Sequence, residues 1–172
     1  MSKKKRGPRT NTMRLLDALH VPYEVLTFSA DIHSGTGVAD AVGLDPSTVY
    51  KTLVVRRPQG KPLLVMVAGD ETVDLGALAA SVGEKKLSMA AHREAESLTG
   101  LQVGGISALA LLNKGFDVCI DRAAQHLERV TVSAGQRGIN LCLSVADLFR
   151  VTGARWVDAT RGDPAAGEPP PS

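Results

Sequence analysis

Lys51 sits inside Val49-Tyr50-Lys51-Thr52-Leu53-Val54-Val55, a run whose β-branched and aromatic residues otherwise suit a buried strand. Pattern alone leaves two readings of it. Either the lysine points to water at an alternating position, or its ammonium is pinned at a pocket and holds a phosphate or carbonyl oxygen as a compact charge. The second stretch with chemical potential is Gly104-Gly105-Ile106-Ser107. Adjacent glycines let the main chain approach a ligand closely. Consecutive N–H groups can then hold a carbonyl or an oxyanion without any side-chain acid. The same dipeptide also makes an ordinary flexible turn.

The familiar catalytic kits are missing. The chain has no GxSxG, no P-loop, no HExxH and no GxGxxG opening a helix. His20, His33, His92 and His126 lie far apart among polar residues and read as surface side chains. Asp31 and His33 are two ligand types without a third, so no metal site is expected. Cys119 and Cys142 form no CxxC and sit in apolar runs without a neighbouring histidine or lysine. They are expected to be reduced, strand-buried and unreactive.

Composition narrows the partner classes. The chain is 44% hydrophobic but only 3% aromatic, so the core must be built from Val, Leu, Ile and Ala. Stacking platforms for nucleic-acid bases are scarce, and any RNA contact must use phosphates, backbone amides and small pockets. The net charge of +2 divides unevenly: Lys3, Lys4, Lys5, Arg6 and Arg9 are five of the 20 basic residues, and no acid accompanies them. From Thr10 onward 15 basic residues face 18 acidic ones. The basic end is either an RNA-phosphate contact or a solvated tail. No apolar h-region follows it, and no run reaches the length of a membrane span, so a cytoplasmic chain without a membrane partner is expected.

The elements that would position these residues follow from caps and periodicity. Residues 1–9 and 161–172 read as disordered ends around a single body, residues 10–160. Met13, Leu16 and Leu19 make a helical stripe capped from Thr10, Asn11 or Thr12. Tyr23 to Phe28 alternates as a strand, and Thr36 to Val42 forms a short helix closed by Gly43. Thr48 to Val55 and Pro62 to Ala68 read as a hairpin around Pro58-Gln59-Gly60. Asp74 caps a helix that Gly83 ends. A brief strand over Lys85 to Leu87 and a polar helix over Ala91 to Leu98 come next. Thr99 to Asn113 is a loop. Phe116 to Ile120, Arg129 to Ser133 and Ile139 to Leu143 read as strands. Ser144 to Asp147 opens a helix stopped by Gly153, and Arg155 to Val157 is an edge strand. Short strands interleaved with short helices favour an α+β fold.

Six collinear motifs carry a resemblance. They are Gly43-Leu44-Asp45-Pro46 with Val49 to Leu53, Val73-Asp74-Leu75, Lys85 to Ala90, Thr99 to Ser107, and Val132 to Gly138. Together they are similar to the YbaK/prolyl-tRNA synthetase-associated family over nearly the whole body. The resemblance implies a twisted mixed, barrel-like sheet with helices around it. It also implies cleavage of the ester between a wrong amino acid and tRNA, most typically cysteine on tRNA(Pro), with no metal or organic cofactor. The implied partners are aminoacyl-tRNA and prolyl-tRNA synthetase. The implied catalytic set is Lys51, Gly104 and Gly105, with Ile106, Ser107, Phe28 and Asn140 around the substrate. In the implied chemistry, the cysteinyl thiol attacks its own ester carbonyl and leaves as a cyclic thioester.

The chain departs from the family pattern at Ala108 and Ala110, where a proline and a glycine are usual. Phe28 stands where a tyrosine is typical and Asn140 where an acid is typical. A module that keeps the fold and binds without turnover is the alternative that these departures support.

Overall fold

The computed structural model describes residues 9–32 and 34–160. Helix α1 (Asn11–Ala18) is capped by Thr10, whose side chain accepts from Met13 N–H. β1 (Glu24–Thr27) follows, then α2 (Gly35–Val42), which Gly43 ends in the left-handed conformation. A single 3₁₀ turn over Pro46–Thr48 leads into β2 (Tyr50–Arg56), and β3 (Leu63–Ala68) returns antiparallel to it. α3 (Leu75–Val82) runs from an Asp74 cap to Gly83. β4 (Ser88–Met89) and α4 (His92–Thr99) precede the long loop. The chain then forms β5 (Asp117–Asp121), β6 (Arg129–Gln136), β7 (Ile139–Ser144), α5 (Val145–Thr152) and β8 (Arg155–Val157).

These strands make two sheets. One is antiparallel in the order β1-β7-β6, and the other is mixed in the order β4-β2-β3-β5-β8, with β3-β5 and β5-β8 parallel. The fold is α+β, as expected. The sheets meet at one parallel bridge, Val49 to Thr131. No ladder among the described residues closes them into a complete barrel.

β3 shows why the core is double. All six of its residues are buried. Leu64, Met66 and Ala68 face the space between the sheets, where α1, α5 and β5 to β7 also contribute side chains. Leu63, Val65 and Val67 face α3 on the outside. A strand covered on both faces reads as an unbroken apolar run rather than an alternating one.

The expected strand over residues 85–87 is corrected to Ser88–Met89. The Val55–Met89 pairing and the Ala90 N–H bond to Val54 C=O (3.1 Å) set that register, and they leave Leu87 to be buried against α3. Cys119 is buried as expected, whereas Cys142 is only half-buried. The two expected disordered ends lie outside the described residues except for Arg9, which pairs with Asp17.

Asp121 ties the end of β5 to the end of the body. It is 4% exposed; its carboxylate accepts from Ala159 N–H at 2.9 Å and, more loosely, from Ala123 N–H and Thr160 Oγ1 at 3.3 Å. Asp121→Ala strands the buried Ala159 N–H and loses two part-buried donors, and a loss of about 2–4 kcal/mol is expected in urea unfolding.

Candidate active site

A cavity of about 450 Å³ lies along the outer edge of β2. Its lining begins at Val49, just before β2, and runs through every residue to Val54. Facing β2 are Val103, Gly104 and Ile106 of the long loop, with Ser133 of β6 and Asn140 of β7. Ser133 and Asn140 are cross-strand partners, and Asn140 is 5% exposed, so its carboxamide belongs to the floor. Ala90, His92 and Ala95 bring the start of α4 to the wall, while Ser34, Gly35 and Gly69 close the Lys51 end.

Lys51 is half-buried, and its Nζ donates to Gly69 C=O at 3.4 Å. Burial lowers its pKa, and the nearby Asp70 and Glu71 work against that shift. The ammonium is therefore poorly solvated but still supported by negative charge, a state in which an incoming anion or polarised carbonyl gains most. Its position depends on a contact that only glycines permit. A Cβ on Gly35 would lie 2.6 Å from the Gly69 Cα, and one on Gly69 would lie 2.9 Å from the Gly35 carbonyl carbon. The start of α2 therefore packs directly on the end of β3. Neither glycine stood out in the sequence.

The loop is held at Val103 from both sides. Its N–H donates to Glu96 Oε2 at 2.9 Å, and its C=O accepts from Arg137 Nε at 2.7 Å. Gly105 N–H donates to Gln102 C=O at 2.8 Å, so that amide closes the turn rather than serving an oxyanion. Ser107 is 1% exposed, and its hydroxyl accepts from Ala110 N–H.

Of the expected site residues, Lys51, Gly104, Ile106 and Asn140 line the cavity, and Gly105, Ser107 and Phe28 do not. Phe28 packs with Ile32 against Val38, Ala39 and Val49 beneath α2. His20, His92 and His126 are exposed, but His92 also borders the cavity. Its place at the first turn of α4, beside a β4 edge two residues long, left no mark in the local pattern. Tyr50 is buried at the cavity edge, and burial raises its pKa, so the phenol stays protonated.

Cys119 faces α3 on the outer side of the sheet, and burial raises its thiol pKa despite Arg155 close by. Neither cysteine lines the cavity. Among the described residues no group of three His, Cys, Asp or Glu could hold a metal, and no helix is long and apolar enough to cross a membrane.

The α+β fold thus brings a half-buried ammonium, a clamped glycine loop and a buried carboxamide to one pocket. The family model of the aminoacyl-tRNA editing domain matches residues 30–151, and the chain belongs to that family. It is 32% identical over 162 residues to a protein of Enterococcus faecalis named as a Cys-tRNA(Pro)/Cys-tRNA(Cys) deacylase, EbsC, covering 93% of this chain and 98% of that one. Two solved structures share the fold at 24% identity. One is a hypothetical protein, APE2540 (TM-score 0.78; 86% of this chain, 97% of that one). The other is named as a trans-editing enzyme for prolyl tRNA synthetase (TM-score 0.75; 92% and 100%).

The packing assigns Gly105 a structural part. A Cβ there would lie 2.9 Å from Arg137 N and 3.1 Å from the Gln136 carbonyl carbon, both main-chain atoms of the β6–β7 turn. Gly105→Ala is therefore expected to cost about 1–3 kcal/mol, read as a lowered thermal midpoint, by pushing the loop off that turn.

Proposed function

We propose that this chain is a cytoplasmic trans-editing deacylase that removes a mischarged amino acid, cysteine on tRNA(Pro) first among them, from the 3′ end of tRNA. Membership of the editing-domain family and 32% identity to a protein named as a Cys-tRNA deacylase support this reading. The observation that carries it is the half-buried Lys51 ammonium opposite the clamped Gly104–Ile106 loop across one cavity.

In this reading Lys51 anchors the terminal nucleotide or the ester carbonyl. The main chain at Gly104 and Ile106 lies against the reacting carbonyl, and Ile106 with Asn140 bounds the amino-acid side chain. Asn140 presents a neutral carboxamide where the family resemblance implies an acid. The protein supplies position and polarisation to an ester that is already activated. The cysteinyl sulfur attacks the ester carbonyl and forms a C–S bond as the C–O bond to ribose breaks. The thiol proton ends on the departing 3′ oxygen, and the amino acid leaves as a cyclic thioester. A prolyl-tRNA synthetase is the natural partner to hand over such a substrate.

Ester loss from Cys-, Ala- and Pro-charged tRNA tests the reading. Cys-tRNA(Pro) is expected to be cleaved fastest, and binding without ester loss would make the chain a binding module instead. Lys51→Met is expected to lower the deacylation rate about 100-fold, the scale of losing one preorganised stabilising group. Its thermal midpoint should stay within a few degrees, because the variant also removes a desolvated charge. Cys119→Ala with Cys142→Ala should retain most activity on the same tRNA, since neither thiol reaches the cavity; a trapped acyl-protein would contradict this.

A further inference from the structure

β2 changes partner along its outer edge. Val49 bridges Thr131 of β6 in parallel, while Val55 and Arg56 pair antiparallel with Met89 and Ser88 of β4. Between these ends, no ladder among the described residues covers the outer edge of residues 51–54. β6 turns away instead, with a bulge between Ser133 and Gln136. The cavity lies in the space that a continued pairing would have filled.

Strand alternation gives the direction of the main-chain groups along this stretch. Val54 C=O accepts from Ala90 N–H, so Val54 points outward, and Val49 C=O accepts from Gly69 N–H at 2.7 Å, so Val49 points toward β3. Both ends agree on the phase. Tyr50 and Thr52 present their main-chain groups outward, and Lys51 and Leu53 present theirs to β3. Tyr50 C=O and Thr52 N–H therefore open on the cavity, two residues apart on one edge. Thr52 is 9% exposed, and a main-chain donor so far from bulk water requires a partner.

An acceptor at one residue and a donor two residues on are spaced for a flat group carrying a donor beside an acceptor, as a parallel strand would offer. At the 3′ end of tRNA that group is adenine, whose N6–H lies beside a ring nitrogen acceptor. We infer that the open edge of β2 reads the terminal adenine, with Tyr50 C=O accepting from N6–H and Thr52 N–H donating to the adjacent ring nitrogen. The base lies along the strand edge and the aminoacyl ester against the Gly104–Ile106 loop. This deepens the deacylase reading and rests on it.

The test uses the full chain and three non-cleavable ligands, 3′-deoxy-3′-cysteinylamido derivatives of adenosine, N6,N6-dimethyladenosine and purine riboside. The last removes the donor without adding bulk. Calorimetry is expected to show the adenosine compound binding at least about tenfold more tightly than either other, the scale of one buried hydrogen bond. The amide proton of Thr52 should move downfield in NMR when the adenosine compound binds, because the ring nitrogen then accepts from it. Equal affinities, or a Thr52 amide that stays put while the adenosine compound binds, would overturn the assignment. Deacylation of Cys-tRNA(Pro) by the same preparation separates the two levels. If cleavage persists with equal affinities, only the base assignment falls; if no charged tRNA is cleaved, the deacylase reading falls with it.

Discussion

The single bridge between Val49 and Thr131 is the constraint on which the site depends. It fastens the antiparallel sheet to the mixed one at a point, not along a line. Had the pairing continued, β6 would have covered β2 and filled the cavity with hydrogen bonds. Had it been absent, only the packing of the shared core would hold Asn140 and Ser133 at the same pocket as Lys51. The bulge in β6 and the short β4 strand complete this arrangement by steering both neighbours away from the middle of β2. The same stretch therefore joins the sheets and borders the pocket.

Burial works differently at the two ends of the cavity. At the Lys51 end, glycine-on-glycine packing brings main chain close to an ammonium whose pKa burial lowers. At the loop end, a carboxylate and a guanidinium grip the two peptide units that flank Val103, so the turn is fixed by charge-assisted hydrogen bonds from outside it. Ala108, where the resemblance implies a proline, is 1% exposed and packs in the core behind this clamped turn.

Much of the fold was legible because its helix ends are local. Asp74 with Gly83 and Ser144 with Gly153 cap their helices through bonds made within four residues, and such signals are written in order along the chain. The β2–β3 hairpin was legible for the same reason. The β4 strand was misplaced because two residues carry no periodicity, and its register comes from a strand more than thirty residues away. Lys51 stood out as a charge in an apolar run. Ser107 and Gly105 looked like ligand contacts, but their bonds to Ala110, Gln102 and the β6–β7 turn arise from loop curvature that no spacing rule encodes. Glu96 and Arg137 were passed over because each is an ordinary polar residue until folding places Val103 between them.

A pocket that uses main-chain groups, as the proposed β2 edge does, has an evolutionary consequence. Point mutation replaces side chains; it removes a peptide N–H only by introducing proline, and it removes a peptide carbonyl by no substitution at all. Contacts made through β2 and the glycine loop are thus sheltered from drift, while Val103, Ile106, His92 and Asn140 are free to vary in size and polarity. In the proposed reading, a lineage built on this frame can exchange one amino-acid substrate for another at a few positions while the edge assigned to the terminal adenine stays as it is.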